Sequence, residues 1–534
     1  MDTPAVGIDL GTSNSVIAVV QGDQATVVPD GAGRRTHPSI ISFHPNGSVL
    51  AGYAARDRRT IDPVNTIFSA KRMIGRPFRS REVQAMAKRV PYKIVEGENQ
   101  QPLIVARNQQ HTVSEISSYV LRYVATLASQ HVGAPLEHAV ITVPANFDDA
   151  QREATRVAGR VAGLNVLRIL NEPTAAALAY GYGRGLSTRI AVYDFGGGTF
   201  DITILQLNEQ VFEVLSTAGD TFLGGDDVDE QIVNQMIEKF VRQHRIDLRF
   251  NSSAMARLRG VAEQLKCQLS ESAMAVAQVQ EVAYGETGQP LDLEFQIAMQ
   301  QLNTLAGDLV QRTFLICDEA LRLANLTATQ IDDVVLVGGM TRMPLVRDSV
   351  AKYFGRPPRT DINPDEVVAV GAAIQAAILT YGELEPGEEE AAPGPQSVLL
   401  DVVPRALGIG VVGGFTETII RRNAQIPLEQ TRRFTTSQDG QTTVRLQICQ
   451  GEARMFEENQ ALGELVLEDL PPALRGELQV AVTFEIDTNG LLQVSAVDQR
   501  TGRVQKVHVR LIGAASEAQI EALRVKHQEL PAPV

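Results

Sequence analysis

Two stretches of this 534-residue chain carry the same pattern of apolar and polar positions. In each, an apolar, β-branched run ends on an aspartate, a turn of glycine and hydroxyl residues follows, and a second apolar run leaves. The first is Val6-Gly7-Ile8-Asp9-Leu10-Gly11-Thr12-Ser13-Asn14-Ser15-Val16-Ile17-Ala18-Val19. The second runs from Ile190 to Ile204 through Asp194, Gly196-Gly197-Gly198-Thr199 and Asp201. Each predicts two strands joined by a tight turn. Consecutive glycines let the backbone take angles closed to other residues, so that N–H groups converge on an anion such as phosphate. A glycine hairpin with solvent-facing aspartates is the plainer reading of either stretch alone. The repetition suggests two related lobes, each offering a hairpin to a shared cleft.

The rest of residues 1–382 alternates strand-like and helix-like patterns. Ala139–Val143 reads as a buried strand ending at Pro144, and a helix starts near Asp148-Asp149, where acidic residues suit the helix dipole. Leu167–Leu170 is a short strand, and Glu172-Pro173-Thr174 opens an alanine-rich helix, with proline well placed in a first turn. Val334–Val337 is another strand with a glycine exit. This alternation predicts α/β layers, with ligands beyond the strand ends. Residues 383–397 are acidic, rich in Pro and Gly and nearly free of large apolar groups, as in a solvated linker. An apolar run, Val398-Leu399-Leu400-Asp401-Val402, follows. From Asp401 to about Ile512 large apolar residues alternate with polar ones, and Asn489-Gly490 and Thr501-Gly502 mark hairpin turns. A β-sandwich is predicted. In the tail 513–534, Ser516 would cap a helix of about 14 residues, marginal alone in water.

Composition narrows the class. The net charge of −14 argues against a general binder of nucleic acid or anionic membranes. The three cysteines, Cys267, Cys317 and Cys449, have no disulfide or metal-ligand spacing, which fits a reducing compartment. No signal peptide or membrane span is visible, so a cytoplasmic location is expected. Asp194 and Asp201 flank the second turn and are suited to a hydrated Mg²⁺, a hard ion that keeps its waters.

The wording Ile8-Asp9-Leu10-Gly11-Thr12-Ser13-Asn14-Ser15 together with Asp194-Phe195-Gly196-Gly197-Gly198-Thr199-Phe200-Asp201 resembles the seventy-kilodalton heat-shock chaperones of the bacterial DnaK type. They belong to the superfamily of actin and sugar kinases. The resemblance extends to about Gly513. It implies a two-lobed α/β actin-like ATPase domain (1–382), a linker (383–400), an all-β sandwich peptide-binding domain (401–512) and a short remnant of a lid helix (513–534). It implies ATP/ADP and Mg²⁺ as cofactors, with K⁺ a further candidate. Lys71 matches the lysine that reaches the γ-phosphate, although composition alone would make it an ordinary exposed lysine. Glu172 matches the glutamate near the attacking water. Asp9, Asp194 and Asp201 match the acids that hold the metal through water, and Thr12 and Thr199 match phosphate and water contacts. Gly11, Ser13, Asn14, Gly196, Gly197, Gly198, Gly224 and Gly225 match phosphate-side positions. Glu263, Lys266 and Ser270 match the adenosine side, and their spacing puts them on one helix face. Gly338, Gly339 and Arg342 match the loop against the base, with Asp365 behind it.

The resemblance also implies an interdomain relay through Pro144 and Arg152. Arg168, Asn171 and Asp401 stand where J-domain partners and the linker bind, and Leu399 and Leu400 form the docking run. Ile409, Val412, Phe415, Phe434, Val444, Leu446 and Val480 match the lining of an extended-peptide groove, and sandwich core is the alternative for each. Four features depart from the family. Asn146 stands where an aromatic is usual. The loop Gln206–Gln210 is short and poor in acid, the linker is longer and more acidic, and the lid beyond its first turns is missing. The reading is an ATP-dependent chaperone that binds extended apolar segments of unfolded proteins, as a monomer, with a J-domain co-chaperone and a GrpE-type exchange factor as partners. A nucleotide-sensing module with one dedicated partner and a small-molecule kinase on the same fold are the alternatives.

Overall fold

The computed structural model describes residues 5–22, 24–381, 398–498, 504–507, 517–529 and 533. The acidic segment expected at 383–397, the Thr501-Gly502 turn and the Ser516 cap lie outside them.

Both repeated patterns fold as hairpins. Strands β1 (Val6–Asp9) and β2 (Asn14–Gln21) are antiparallel, and β3 (Gln24–Val27) extends the meander. After helix α1 (Val113–Val132), strand β4 (His138–Val143) returns parallel to β1. Helix α2 (Asp149–Val161) follows, with Asp148 and Gln151 forming a reciprocal capping box. Strand β5 (Asn165–Asn171) then pairs parallel to β4. Helix α3 (Glu172–Gly181) carries Pro173 in its first turn and leads to the second lobe. There β6 (Ser187–Phe195), β7 (Phe200–Asn208) and β8 (Val211–Asp220) form the same meander. Helices α4 (Gly225–His244), α5 (Ser252–Gln268) and α6 (Met299–Leu323) cover it. Strand β9 (Asp333–Val337) joins β6 in parallel, as β4 joins β1. The sheet orders are β5-β4-β1-β2-β3 and β9-β6-β7-β8. The sequence repeat is therefore a repeat of topology.

Helix α7 (Val367–Tyr381) lies with α3 between the sheets. The two helices approach so closely that a Cβ on Gly371 would lie 1.8 Å from the Ala175 carbonyl oxygen. Glycine there permits the backbone contact that closes the core between the lobes.

The apolar run after residue 397 is a strand, β10 (Val398–Val402). Val398, Leu399 and Leu400 pair in parallel with Val211, Phe212 and Glu213 on the edge of β8. Leu399 also packs against the core shared by α3 and α7. Asp401 and Val402 pair onward with Ile426 and Gln425. The strand thus bridges the expected boundary at residue 400 and ties the β-domain to the second lobe's sheet.

The β-domain is a sandwich of two four-stranded sheets. One contains β11 (Leu407–Val411), β12 (Phe415–Ile420), β15 (Val444–Gln450) and β16 (Gln460–Leu467). The other contains β14 (Leu428–Thr435), β17 (Gln479–Ile486), β18 (Leu492–Asp498) and β19 (Val504–Val507), and the short β13 (Gln425–Ile426) pairs with β10. Alternating residues such as Leu446, Ile448, Val480, Val482 and Phe484 fill the space between the sheets. The turn before β18 closes by the Gly490 N–H donating to the Asp487 carbonyl.

Helix α8 (Glu517–Glu529) packs on the first lobe. Ile520 meets Val157 and Val161 of α2. His527 stacks on Tyr119 of α1 at 4.1 Å between ring centroids. Glu517 pairs with Arg160 at 2.6 Å, and Lys526 with the buried Glu115 at 2.7 Å. A helix too short to stand alone is held by one apolar seam and two ion pairs. Among the described residues, no helix is long and apolar enough to cross a membrane.

Candidate functional site

A cavity of about 500 Å³ opens between the lobes, and both hairpin turns line it. Gly11, Thr12, Ser13 and Asn14 come from the first, and Gly196, Gly197 and Thr199 from the second. Gly198 stands behind this wall: a Cβ on it would lie 2.8 Å from Thr12 Cγ2 and 2.9 Å from Arg72 Nε. A Cβ on Gly197 would lie 2.1 Å from Ser13 Oγ. None of the three consecutive glycines takes a left-handed φ. The expectation that they serve left-handed backbone angles is therefore corrected: Gly197 and Gly198 make room for the opposite hairpin, while a Cβ on Gly196 would meet nothing closer than 3.8 Å. Gly224 caps α4 from behind, receiving no ligand-facing place, and Gly225 lines the cavity. The amides of Gly225 and Asp226 donate to the carbonyls of Gly196 and Gly197, so the N-terminus of α4 is locked to the glycine turn.

The charged centre is buried. Lys71 sits in a 3₁₀ turn (Ala70–Met73) and is 6 % exposed. Its Nζ donates to Glu172 Oε1 at 2.7 Å, joining residues 101 positions apart. The exposed alternative for Lys71 is thus excluded. Asp9 ends β1 and accepts from Thr142 Oγ1 at 3.1 Å. Asp194 and Asp201 face each other in register across β6 and β7. Burial first, then Glu172, pushes the Asp9 carboxyl up to about 7. Burial and the Glu172 charge do the same for Asp201, also to about 7, and burial with three neighbouring carboxylates raises Asp194 well above its ordinary value. Asp201 lies behind the cavity wall; its Oδ1 accepts from Asn146 Nδ2 at 2.6 Å and its Oδ2 is buried without a partner.

This donor set fits a hydrated divalent cation. Buried carboxylates that repel one another and an orphaned carboxylate oxygen are relieved by a positive charge among them. Among the described residues, no group of three or more acidic, histidine or cysteine side chains could hold an ion.

Glu263, Lys266, Ser270, Gly338, Gly339, Arg342 and Asp365 also contribute to the cavity wall. Ser270 corrects one expectation. Helix α5 ends at Gln268, and Ser270 stands in the turn beyond it, its N–H donating to the Cys267 carbonyl. Burial disfavours the Lys266 charge, but Asp229, at 2.9 Å, and Glu263 outweigh it and raise the ammonium above its ordinary pKa. Arg342 donates twice to Asp365 Oδ2, at 2.8 and 2.6 Å. Arg72, Asp226, Asp227, Asp229 and Asn146 were not among the expected site residues. Arg72 donates to the Gly197 carbonyl at 3.2 Å and pairs with Asp226 and Asp227 at 3.4 and 3.5 Å. The run Gly224-Gly225-Asp226-Asp227, a glycine pair opening an acidic first turn, was the signal that could have found the acids.

The junction residues meet as a chain of hydrogen bonds. Pro144 ends β4 and its carbonyl accepts from the Phe147 N–H. Arg152 donates to the carbonyls of Ala145 and Phe147 and to Asn171 Oδ1 at 2.6 Å. Asn171 Nδ2 and Thr174 Oγ1 donate to Asp401 Oδ2 at 2.8 and 3.1 Å. Arg168 donates to the Thr488 carbonyl of the β-domain at 3.1 Å. Of the groove residues, Ile409, Val444, Leu446 and Val480 lie in the sandwich core and Phe434 packs half-buried against it. Val412 and Phe415 are exposed at the β11–β12 turn, 84 % and 39 %.

Two hairpins around one polar cavity, a buried lysine–glutamate pair and three carboxylates define a two-lobed phosphate-binding fold joined to a β-sandwich. The sequence model of one family, described as Hsp70 protein, matches residues 5–532, and the chain belongs to the Hsp70 family. That membership makes it a chaperone of the Hsp70 type, from a family of ATPases that bind nucleotide with Mg²⁺.

Proposed function

We propose that this chain hydrolyses ATP in the interlobe cavity and uses nucleotide state to control how its β-domain holds extended apolar polypeptide. The observation that carries the reading is β10: it is hydrogen-bonded into the second lobe's sheet while Asp401, within the same strand, is gripped by Asn171 and Thr174. A change in lobe closure at the cavity therefore acts on the strand that begins the β-domain.

Phosphoryl transfer asks for charge neutralisation and a placed water more than for covalent help. The hairpin amides receive the phosphates. Lys71 Nζ exchanges its Glu172 partner for a γ-phosphate oxygen, and the freed Glu172 carboxylate accepts from the attacking water. Asp9, Asp194 and Asp201 would hold Mg²⁺ through its waters; the ion supplies charge neutralisation at the phosphates. Glu263, Lys266, Ser270 and Arg342 receive the adenosine. Clients would be extended apolar segments, helped by a J-domain partner and a GrpE-type exchange factor.

The test is ATP hydrolysis with and without an extended apolar peptide. Mg²⁺-dependent hydrolysis accelerated by the peptide supports the proposal. Hydrolysis indifferent to peptide, or transfer of phosphate to a small sugar, overturns it.

A further inference from the structure

The turn after β4 touches both the cavity and the domain junction. At its centre, Asn146 is 6 % exposed and donates from Nδ2 to Asp201 Oδ1 at 2.6 Å. The space for this bond is built. Gly219 stands opposite Asp201 in the β7–β8 register, and a Cβ there would lie 2.1 Å from Asn146 Nδ2 and 2.6 Å from Asp201 Oδ1. The other carboxylate oxygen, Oδ2, has no partner. Asn146 thus holds this acid from its side chain and also from its backbone, and the Oδ1 bond is the part that the side chain supplies. Charge-assisted bonds of this kind are short and directional.

The residues either side of Asn146 are held from the junction. The carbonyls of Ala145 and Phe147 both accept from Arg152, each at 3.2 Å. Arg152 is bound to Asn171, and Asn171 to Asp401 of β10. The next residues of the turn reach the β-domain directly: Asp148 Oδ2 accepts from Gln460 Nε2 at 2.7 Å, and Asp149 Oδ1 from the Leu492 N–H at 3.1 Å. Hydrogen bonds from the docking strand to Arg152, the backbone of residues 145–147 and the Asn146 side-chain bond thus connect β10 to an acid at the charged centre.

We propose that Asn146 is a positioning residue for hydrolysis, the last link through which docking of the β-domain sets the orientation of Asp201. The proposal rests on the ATPase reading of the site. Docking and undocking of β10 supply the two states that such a link needs. When β10 leaves, Asp401 no longer orders Asn171 and Arg152, the Ala145–Phe147 carbonyls are released, and the Asn146 amide moves off Asp201.

The experiment uses the full chain with Asn146→Ala and the near-isosteric Asn146→Asp, each alone and combined with Asp401→Ala. ADP affinity should stay within about twofold of wild type, showing an intact fold and cavity. Single-turnover hydrolysis should fall about 10- to 100-fold, the usual effect of removing a partner that orients a metal-shell group. Asp401→Ala should change the rate in the wild-type background and leave it within about twofold in the Asn146→Ala background. A second readout needs no hydrolysis: amide exchange of Val398–Val402 without nucleotide and with ADP. Wild type should show nucleotide-dependent protection and both Asn146 variants should lose that dependence. Equal effects of Asp401→Ala in both backgrounds, retained nucleotide-dependent exchange, or a loss of ADP affinity as large as the loss of turnover would each overturn the proposal. A wild-type chain that binds ATP without hydrolysing it would sink the ATPase reading instead, while the exchange readout would still decide the link.

Discussion

Lys71 and Glu172 are each other's partner within the first lobe, and the pair is worth more to chemistry than to stability. A buried ion pair largely offsets its own desolvation, whereas a cation aimed at developing charge acts in the transition state. Lys71→Ala is therefore expected to keep nucleotide affinity and to lower single-turnover hydrolysis on the order of 10²–10³-fold, read by calorimetry and rapid quench. Turnover at the wild-type rate would remove Lys71 from the site. The sequence made the hairpin glycines and aspartates visible because the motif is local. It misjudged the glycines' purpose, because the atom that would clash with a Gly197 side chain is Ser13 Oγ of the opposite hairpin. Burial of Lys71 was legible only through family resemblance, since its partner lies on another element. The Asn146–Asp201 bond was not legible at all; the sequence marked Asn146 only as an unusual residue at its position.

At the scale of elements, β10 and α8 both take their structure from what they dock on. Leu399 packs half-buried against the core shared by α3 and α7, and keeps part of the about 1.5–3 kcal/mol that full burial of a leucine is worth. Leu399→Asp loses that and adds the cost of burying a charge. The variant should keep basal hydrolysis, lose stimulation by peptide and show faster amide exchange across Val398–Val402. The apolar run was plain in the sequence, but its partner was not: pairing with β8 is set by a free sheet edge nearly two hundred residues away. Ser270 differs for a local reason. Its spacing from Lys266 fits a helix face, but the helix had already ended.

Helix α8 carries a pH dependence. Burial depresses the His527 imidazole from 6.5 to about 4, and Glu115, held by His111 and Lys526, stays below its ordinary carboxylate range despite burial. The docked helix therefore binds fewer protons than the free one. Docking is complete above pH 6.5 and is lost as pH falls towards 4. At pH 5.5 the His527 shift alone weakens docking about tenfold. Amide exchange of Glu517–Glu529 at pH 5.5 and 7.5, corrected for intrinsic rates, checks this, and His527→Phe should flatten the difference. Equal protection at both values would show that the Ile520 seam and the ion pairs hold the helix whatever the charge on the histidine.

For the whole molecule, the arrangement is a docked one: β10 in the second lobe's sheet, the β-domain on the turn after β4 and α8 on the first lobe. The described helix that follows the sandwich lies on the ATPase lobe, away from the exposed Val412 and Phe415 of the sandwich turn. A peptide held at Val412 and Phe415, as the proposal has it, would meet no helix of the described residues, and such differences show in the off-rate. Release of an extended peptide from this chain should be fast with ADP and about 5-fold faster with ATP, the low end of common coupling between two sites. Fold class and lobe repeat were readable from alternation and self-similarity, because both are written along the chain. The docked arrangement was not, because it depends on contacts such as Asn171–Asp401 between surfaces far apart in sequence.

The central claim is that nucleotide in the cavity and peptide on the β-domain are thermodynamically linked through β10. The most direct measurement is the affinity of one fluorescent extended apolar peptide for the Lys71→Ala chain saturated with ATP and with ADP, repeated with Leu399→Asp added. The account predicts binding about 5-fold weaker with ATP, and no nucleotide dependence once Leu399 is replaced. Equal affinity with ATP and ADP in the Lys71→Ala chain, or the same ratio after Leu399→Asp, would contradict it.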